Sequence, residues 1–102
     1  MKHPTEQEFR ELLQTEQRPV IVDFFASWCG PCKMFAPVFN ETADKLGKDF
    51  CFVMLDVDDC DALCSELKIE TVPTILVFEN SQVTKRKAGG FPSAKEFEKW
   101  LL

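Results

Sequence analysis

The sequence predicts an α/β domain, a central mixed β-sheet flanked by four helices, and three observations carry that prediction. Runs with helical periodicity alternate with short apolar runs along the whole chain. Two of the apolar runs, Val20–Ala26 and Phe50–Val57, have almost no polar face, as strands covered by helices on both sides require. Two further strand-like runs are separated by only Asn80 and Ser81, the length of a tight hairpin turn. At 102 residues the chain is the size of one domain, residues 1–102, and needs no cross-links to fold.

Each element carries its own signal. Thr5 and Glu8 form a capping box, and Phe9, Leu12 and Leu13 share one face of a helix expected over Thr5–Glu16. Pro19 closes that helix, and the strand Val20–Ala26 follows, interrupted only by Asp23. From Cys32 onward, Phe35, Phe39, Thr42 and Leu46 recur close to the helical repeat. Pro37 lies inside this pattern, where its ring removes one backbone bond and is expected to kink the helix without abolishing it. After the strand Phe50–Val57, Asp58 or Asp59 is expected to cap a helix whose stripe is Cys60, Leu63, Cys64 and Leu67. "TVPTILVFEN" and "QVTKRKAG" are the hairpin strands, ended by Gly89 and Gly90. Ser93 and Glu96 read as a second capping box, opening a helix with Ala94, Phe97, Trp100 and Leu101 on its apolar face.

Composition narrows the function. A net charge of -5 argues against nucleic acid, which needs clustered Lys and Arg; the one basic triplet, Lys85 to Lys87, reads as a solvated hairpin edge. The segment "MKHPTEQEFREL" lacks the apolar core of a signal peptide, and no run approaches the roughly 20 apolar residues of a membrane span. A soluble, cytoplasmic protein is expected. Five cysteines in such a setting cannot all pair, and a reducing compartment disfavours permanent bridges.

Cys29 and Cys32 form a C-x-x-C, a spacing shared by redox couples, metal sites and structural bridges. Cys29 precedes a helix and Cys32 opens its buried stripe, so one sulfur is expected to be exposed and the other shielded. The unpaired N–H groups and positive dipole end of a helix stabilise a thiolate, which makes Cys29 the candidate nucleophile. Cys32 is then the resolving thiol, releasing a mixed disulfide in an effectively unimolecular step. Gly30 allows close approach of a substrate backbone, and Pro31 suits a helix start. Asp23, a carboxyl inside a buried strand, is expected to have a raised pKa and to serve in proton transfer.

The other thiols have blander readings. Cys51, Cys60 and Cys64 are expected to act as small apolar core residues. A zinc site built from Cys29, Cys32, Cys60 and Cys64 is disfavoured because the second pair lies on an apolar stripe; no metal is expected. Cys60, near a helix start, is a candidate regulatory thiol, partly exposed and open to oxidation. Cys60 and Cys64 are not expected to bridge within one intact helix, where Cβ atoms a turn apart are too distant. His3 is expected to be exposed and not catalytic.

"WCGPCK" at 28–33, after a strand with an internal Asp and followed by "TVPT" at 71–74, resembles the thioredoxin family over nearly the whole chain. The resemblance implies the thioredoxin fold and a Cys29-Cys32 redox disulfide that reduces protein disulfides. It implies no bound cofactor, with electrons passed from NADPH by thioredoxin reductase, and clients of the peroxiredoxin and ribonucleotide reductase kind. It also implies a cis Pro73 facing the cysteines, a flat substrate surface of Trp28, Gly30, Pro31, Val72, Pro73 and Gly89, and activation of Cys32 by Asp23 through water. Two positions depart from the family pattern. Met54 stands where a Lys or Glu is common near the buried acid, and only Met1 to His3 remain for the first edge strand, which is expected to be short or missing. A disulfide isomerase is disfavoured because Gly30 and Pro31, with no His, separate the cysteines. The alternative from another class is a thioredoxin-fold binding or regulatory module that docks partner proteins with turnover secondary. A monomer is expected.

Overall fold

In the computed structural model, which describes residues 3–102, Thr5 caps helix α1 (Glu6–Thr15) through the reciprocal capping box with Glu8. Strand β1 (Val20–Phe25), helix α2 (Gly30–Leu46) and strand β2 (Cys51–Asp56) follow. A single 3-10 turn (Val57–Asp59) leads to helix α3 (Asp61–Glu66), and the hairpin β3 (Thr74–Glu79) and β4 (Gln82–Ala88) precedes helix α4 (Ala94–Leu101). Asn80 and Ser81 turn the hairpin with positive φ at both positions, the handedness that matches strand twist.

The sheet order is β2-β1-β3-β4, with β1 parallel to β2 and antiparallel to β3. The expected mixed sheet with four helices is therefore what the chain forms. The implied first edge strand at Met1–His3 falls largely on Met1 and Lys2, outside the described residues, and His3 carries no strand.

Alternation along β1 divides the interior in two. Val20, Val22 and Phe24 face one layer with Phe9 of α1 and Leu63 of α3. Ile21 faces the other, with Phe35 and Phe39 of α2 and Phe97 and Leu101 of α4. The second layer is dominated by rings: Phe97 lies within 6.4 Å, centroid to centroid, of Phe35, Phe39, Phe52, Phe91 and Trp100. This layer seats α2 and so fixes where the helix points its first turn.

Three local expectations need correction. Neither Asp58 nor Asp59 caps α3; both sit in the 3-10 turn, which Asp56 caps by accepting the Asp58 N–H, and Cys60 occupies the α3 cap without a side-chain bond. The chain makes two short turns there instead of one longer helix, because Asp56 at the strand end captures the first free N–H. The basic triplet lies on the edge strand as expected but is not simply solvated. Lys87 lies over the Phe91 ring, and Arg86 donates to the Leu67 carbonyl. Ser93 accepts the Glu96 N–H, but only that half of the second capping box is present among the bonds of α4.

Phe97→Ala is expected to cost about 3–5 kcal/mol by leaving a cavity among the rings. Chemical denaturation measures it; a loss under about 1 kcal/mol would mean the ring layer closes over the gap.

Candidate active site

Cys29 and Cys32 are joined as a disulfide at the start of α2, with Cα atoms 5.3 Å apart. Cys29 is the N-cap residue and has extended backbone angles, while Pro31 occupies the first turn, where a missing N–H costs nothing. The Cys32 N–H donates to the Cys29 sulfur at 3.1 Å. That sulfur sits at the positive end of the α2 dipole.

The expected contrast in exposure is absent. Cys29 is 5% exposed and Cys32 3%. Once bonded, both sulfurs are held against Ala26, Phe25, Val57 and Val72, which cover them almost equally. The asymmetry between the two lies in hydrogen bonding, since only the Cys29 sulfur receives the helix N–H.

The Val72-Pro73 peptide is cis, and the Cys29 sulfur lies 3.6 Å from the Val72 carbonyl oxygen. The Gly89 N–H donates to the Pro73 carbonyl at 2.7 Å and ties the end of β4 to the same place. Trp28 is 68% exposed, and Gly30 and Pro31 are also exposed, with open space above Gly30. Pro73 itself is buried, so it is not part of a flat exposed face; half-buried Val72 and Gly89 offer the accessible backbone beside it.

Asp23 is fully buried on β1 and shares the sheet face of Ile21, toward α2. Its register neighbours are Met54 on β2 and Ile75 on β3, both apolar. Neither carboxylate oxygen has a hydrogen-bond partner among the described residues. Burial alone raises its pKa to about 7. With Met54 at the neighbouring position, no charge there offsets or adds to that desolvation.

A sequence model of the thioredoxin family matches residues 1–102. The chain belongs to the thioredoxin family. Thioredoxin of Mycoplasmoides gallisepticum is 43% identical over 94 residues, covering 90% of this chain and 91% of that protein. Thioredoxin of Haemophilus influenzae is 33% identical, covering 91% of this chain and 87% of that protein. Rice chloroplastic thioredoxin Y is 36% identical; the chain spans 55% of its length. A solved structure of Plasmodium falciparum thioredoxin aligns with a TM-score of 0.88 at 33% identity, covering 98% of this chain and 99% of that one. Thioredoxin-family membership and the joined Cys29-Cys32 pair make the chain a dithiol-disulfide oxidoreductase.

Two features of this thioredoxin-family site escaped sequence reading. Asp58 accepts the Trp28 indole N–H at 3.0 Å and thereby holds the exposed ring beside the cysteines. A capping role explained Asp58 locally, so nothing in its position pointed across thirty residues to Trp28. A shallow cleft of about 220 Å³ next to Pro31 is lined by Met34, Phe35, Gly90, Phe91 and Pro92. Met34 is 80% exposed there, an apolar side chain out of phase with the stripe begun by Cys32.

The other thiols lie apart from the site. Cys60 is only 1% exposed and burial pushes its thiol up to about 12, so the expected exposed regulatory thiol with a lowered pKa is incorrect. Desolvation outweighs the weak field of a six-residue helix. Cys51 is buried in the same layer as Cys60. His3 is exposed at the edge of the Phe25 ring. Among the described residues no group of three or more His, Cys, Asp or Glu is placed to hold a metal ion.

The raised Asp23 pKa has a defined sign in stability. Protonated Asp23 suits the fold and ionised Asp23 does not, so its contribution is full below about pH 4 and is lost as pH rises through about 7. Asp23→Asn is therefore expected to exceed the parent in stability at pH 8 by about 2–4 kcal/mol, the gap closing toward pH 4. Denaturation curves at both pH values measure it; a gap independent of pH would exclude carboxylate desolvation as its cause.

Proposed function

We propose that Cys29 is the nucleophile and Cys32 the resolving thiol in reduction of protein disulfides. The observation that carries this is the Cys32 N–H on the Cys29 sulfur at the start of a 17-residue helix. Cys29 thiolate attacks one sulfur of a client disulfide, forming a mixed disulfide and expelling the other client sulfur as thiolate. Cys32 then attacks the Cys29 sulfur, closes the intramolecular disulfide and expels the second client thiolate. The client gains two electrons and two protons.

Asp23 is proposed to move the proton of Cys32. A carboxyl with a pKa near 7 exchanges protons readily at neutral pH, and Asp23 lies on the face of β1 that packs against α2, whose first turn holds Cys32. Water carries the proton between them in this reading. Trp28, Gly30, Pro31, Val72, Pro73 and Gly89 are proposed to receive the client, with the Val72 backbone pairing an extended segment beside the cysteines. Exposure of Trp28, Gly30 and Pro31 supports this, with Pro73 contributing from beneath.

The cycle closes when electrons from NADPH, delivered by thioredoxin reductase, reopen the Cys29-Cys32 disulfide. Clients of the peroxiredoxin and ribonucleotide reductase kind fit such electron transport, which we assign to the cytoplasm, with the chain acting as a monomer and a single domain over residues 1–102. Supporting that setting, no helix of the described residues is long and apolar enough to cross a membrane, and Cys60 and Cys64 are not joined as a disulfide.

With reductase and NADPH as the only electron source, Cys29→Ser and Cys32→Ser are both expected to abolish turnover, and only Cys32→Ser to accumulate a mixed disulfide. Turnover by Cys29→Ser would refute the assignment. Asp23→Asn is expected to slow mixed-disulfide decay about 100-fold, the lower end of general acid-base contributions, while leaving the first attack nearly unchanged. Stopped-flow decay equal to that of the parent would remove Asp23 from the mechanism.

A further inference from the structure

Outside the Cys29-Cys32 site the molecule holds two other thiols in contact. Cys60 Sγ and Cys64 Sγ are 3.5 Å apart. Two cysteines one turn apart inside a helix have Cβ atoms about 5–6 Å apart, too far for a bridge. Cys60, however, is the α3 cap, with φ -143° and ψ 54°, outside helical geometry. The Cys64 N–H still donates to the Cys60 carbonyl at 3.0 Å, which clamps the two residues on one turn. The expectation that this pair cannot bridge rested on an intact helix through Cys60, and the helix begins one residue later.

The two sulfurs have unequal surroundings. Cys60 is 1% exposed, and its sulfur lies 3.2 Å from the Asp56 carbonyl oxygen, a fixed acceptor for its proton. Cys64 is half-buried and has a path to solvent. We propose that Cys60 and Cys64 form a second redox dithiol, in which Cys64 reacts with a hydroperoxide and Cys60 resolves the product to a disulfide.

In the first step the Cys64 thiolate attacks one peroxide oxygen and the O–O bond breaks. Cys64 becomes a sulfenic acid, and the other oxygen leaves as water or an alcohol after taking a proton. In the second step the Cys60 sulfur attacks Cys64, the S–O bond breaks, and water leaves with the Cys60 proton. Two thiols have lost two electrons and two protons, and one hydroperoxide has been reduced. Closing from 3.5 Å to the roughly 2.05 Å of a disulfide requires about 1.5 Å of sulfur movement. Burial raises both thiols. Attack therefore falls to Cys64, the more accessible of the two, and the pair oxidises more slowly than Cys29, whose sulfur receives a helix N–H. Cys60 at contact distance protects Cys64 from irreversible over-oxidation, since a sulfenic acid that meets a thiol condenses before a second oxygen is added.

The test treats the fully reduced full-length chain with limited hydrogen peroxide, alkylates remaining thiols after denaturation, and digests with trypsin. The peptide from Asp49 to Lys68 contains Cys51, Cys60 and Cys64. Once Cys29 and Cys32 are oxidised, its alkyl labels are expected to fall from three to one, on Cys51, with native circular dichroism unchanged. Cys64→Ser is expected to keep both of its remaining labels, and Cys60→Ser to gain oxygen on Cys64. Three retained labels, a single label on Cys60 or Cys64, or label loss only after circular dichroism is lost would each overturn the proposal. So would a folded Cys60→Ser with no oxygen on Cys64. None of these readouts requires Cys29 or Cys32 to turn over a client.

Discussion

Strand β1 is hydrogen-bonded to a neighbour on each edge and covered by a helical layer on each face, so a carboxyl placed on it is buried. The same burial that organises the sheet sets the chemistry of Asp23. Its flanking positions on β2 and β3 are Met54 and Ile75, which supply no counter-charge and no hydrogen bond. An acid that titrates near neutrality is the direct result, and the protein carries an unfavourable buried group on a strand covered on both faces.

The helix packed over that strand performs the complementary task. Phe35, Phe39 and Phe97 lock α2 onto the sheet, and the Cys32 N–H of its first turn then donates to the Cys29 sulfur. Stability and reactivity are thus divided along one helix. Its body is held by aromatic packing, and its first turn donates to a sulfur. Loops from two distant parts of the chain complete the site, because the Gly89 N–H binds the Pro73 carbonyl and Val72 meets the Cys29 sulfur.

Most of the fold was legible because each element announced itself with periodicity and a cap. Thr5 with Glu8, the two-residue Asn80-Ser81 turn and the stripe from Cys32 are local signals, and local physics decides them. The misreadings share one cause. Asp58 had two possible partners, the nearby helix and the distant Trp28, and only tertiary packing chose the second. Cys60 had two readings, a buried residue of the apolar stripe and a partly exposed thiol near a helix start, and its burial at the α3 cap decides for the first. The near-equal covering of Cys29 and Cys32 likewise depends in part on Val57 and Val72, which the fold brings in from distant parts of the chain.

Gly90 has a consequence for how this sequence can change. A Cβ there would stand 2.7 Å from the Phe35 ring, closer than real side chains approach. Phe35 also belongs to the ring layer that seats α2, so the ring cannot simply retreat. The two positions act as one unit of mutation: enlarging residue 90 becomes acceptable only together with a smaller residue 35. Drift at the rim of the active site is thereby tied to drift in the core, and variants that sample the two positions separately pass through a destabilised intermediate.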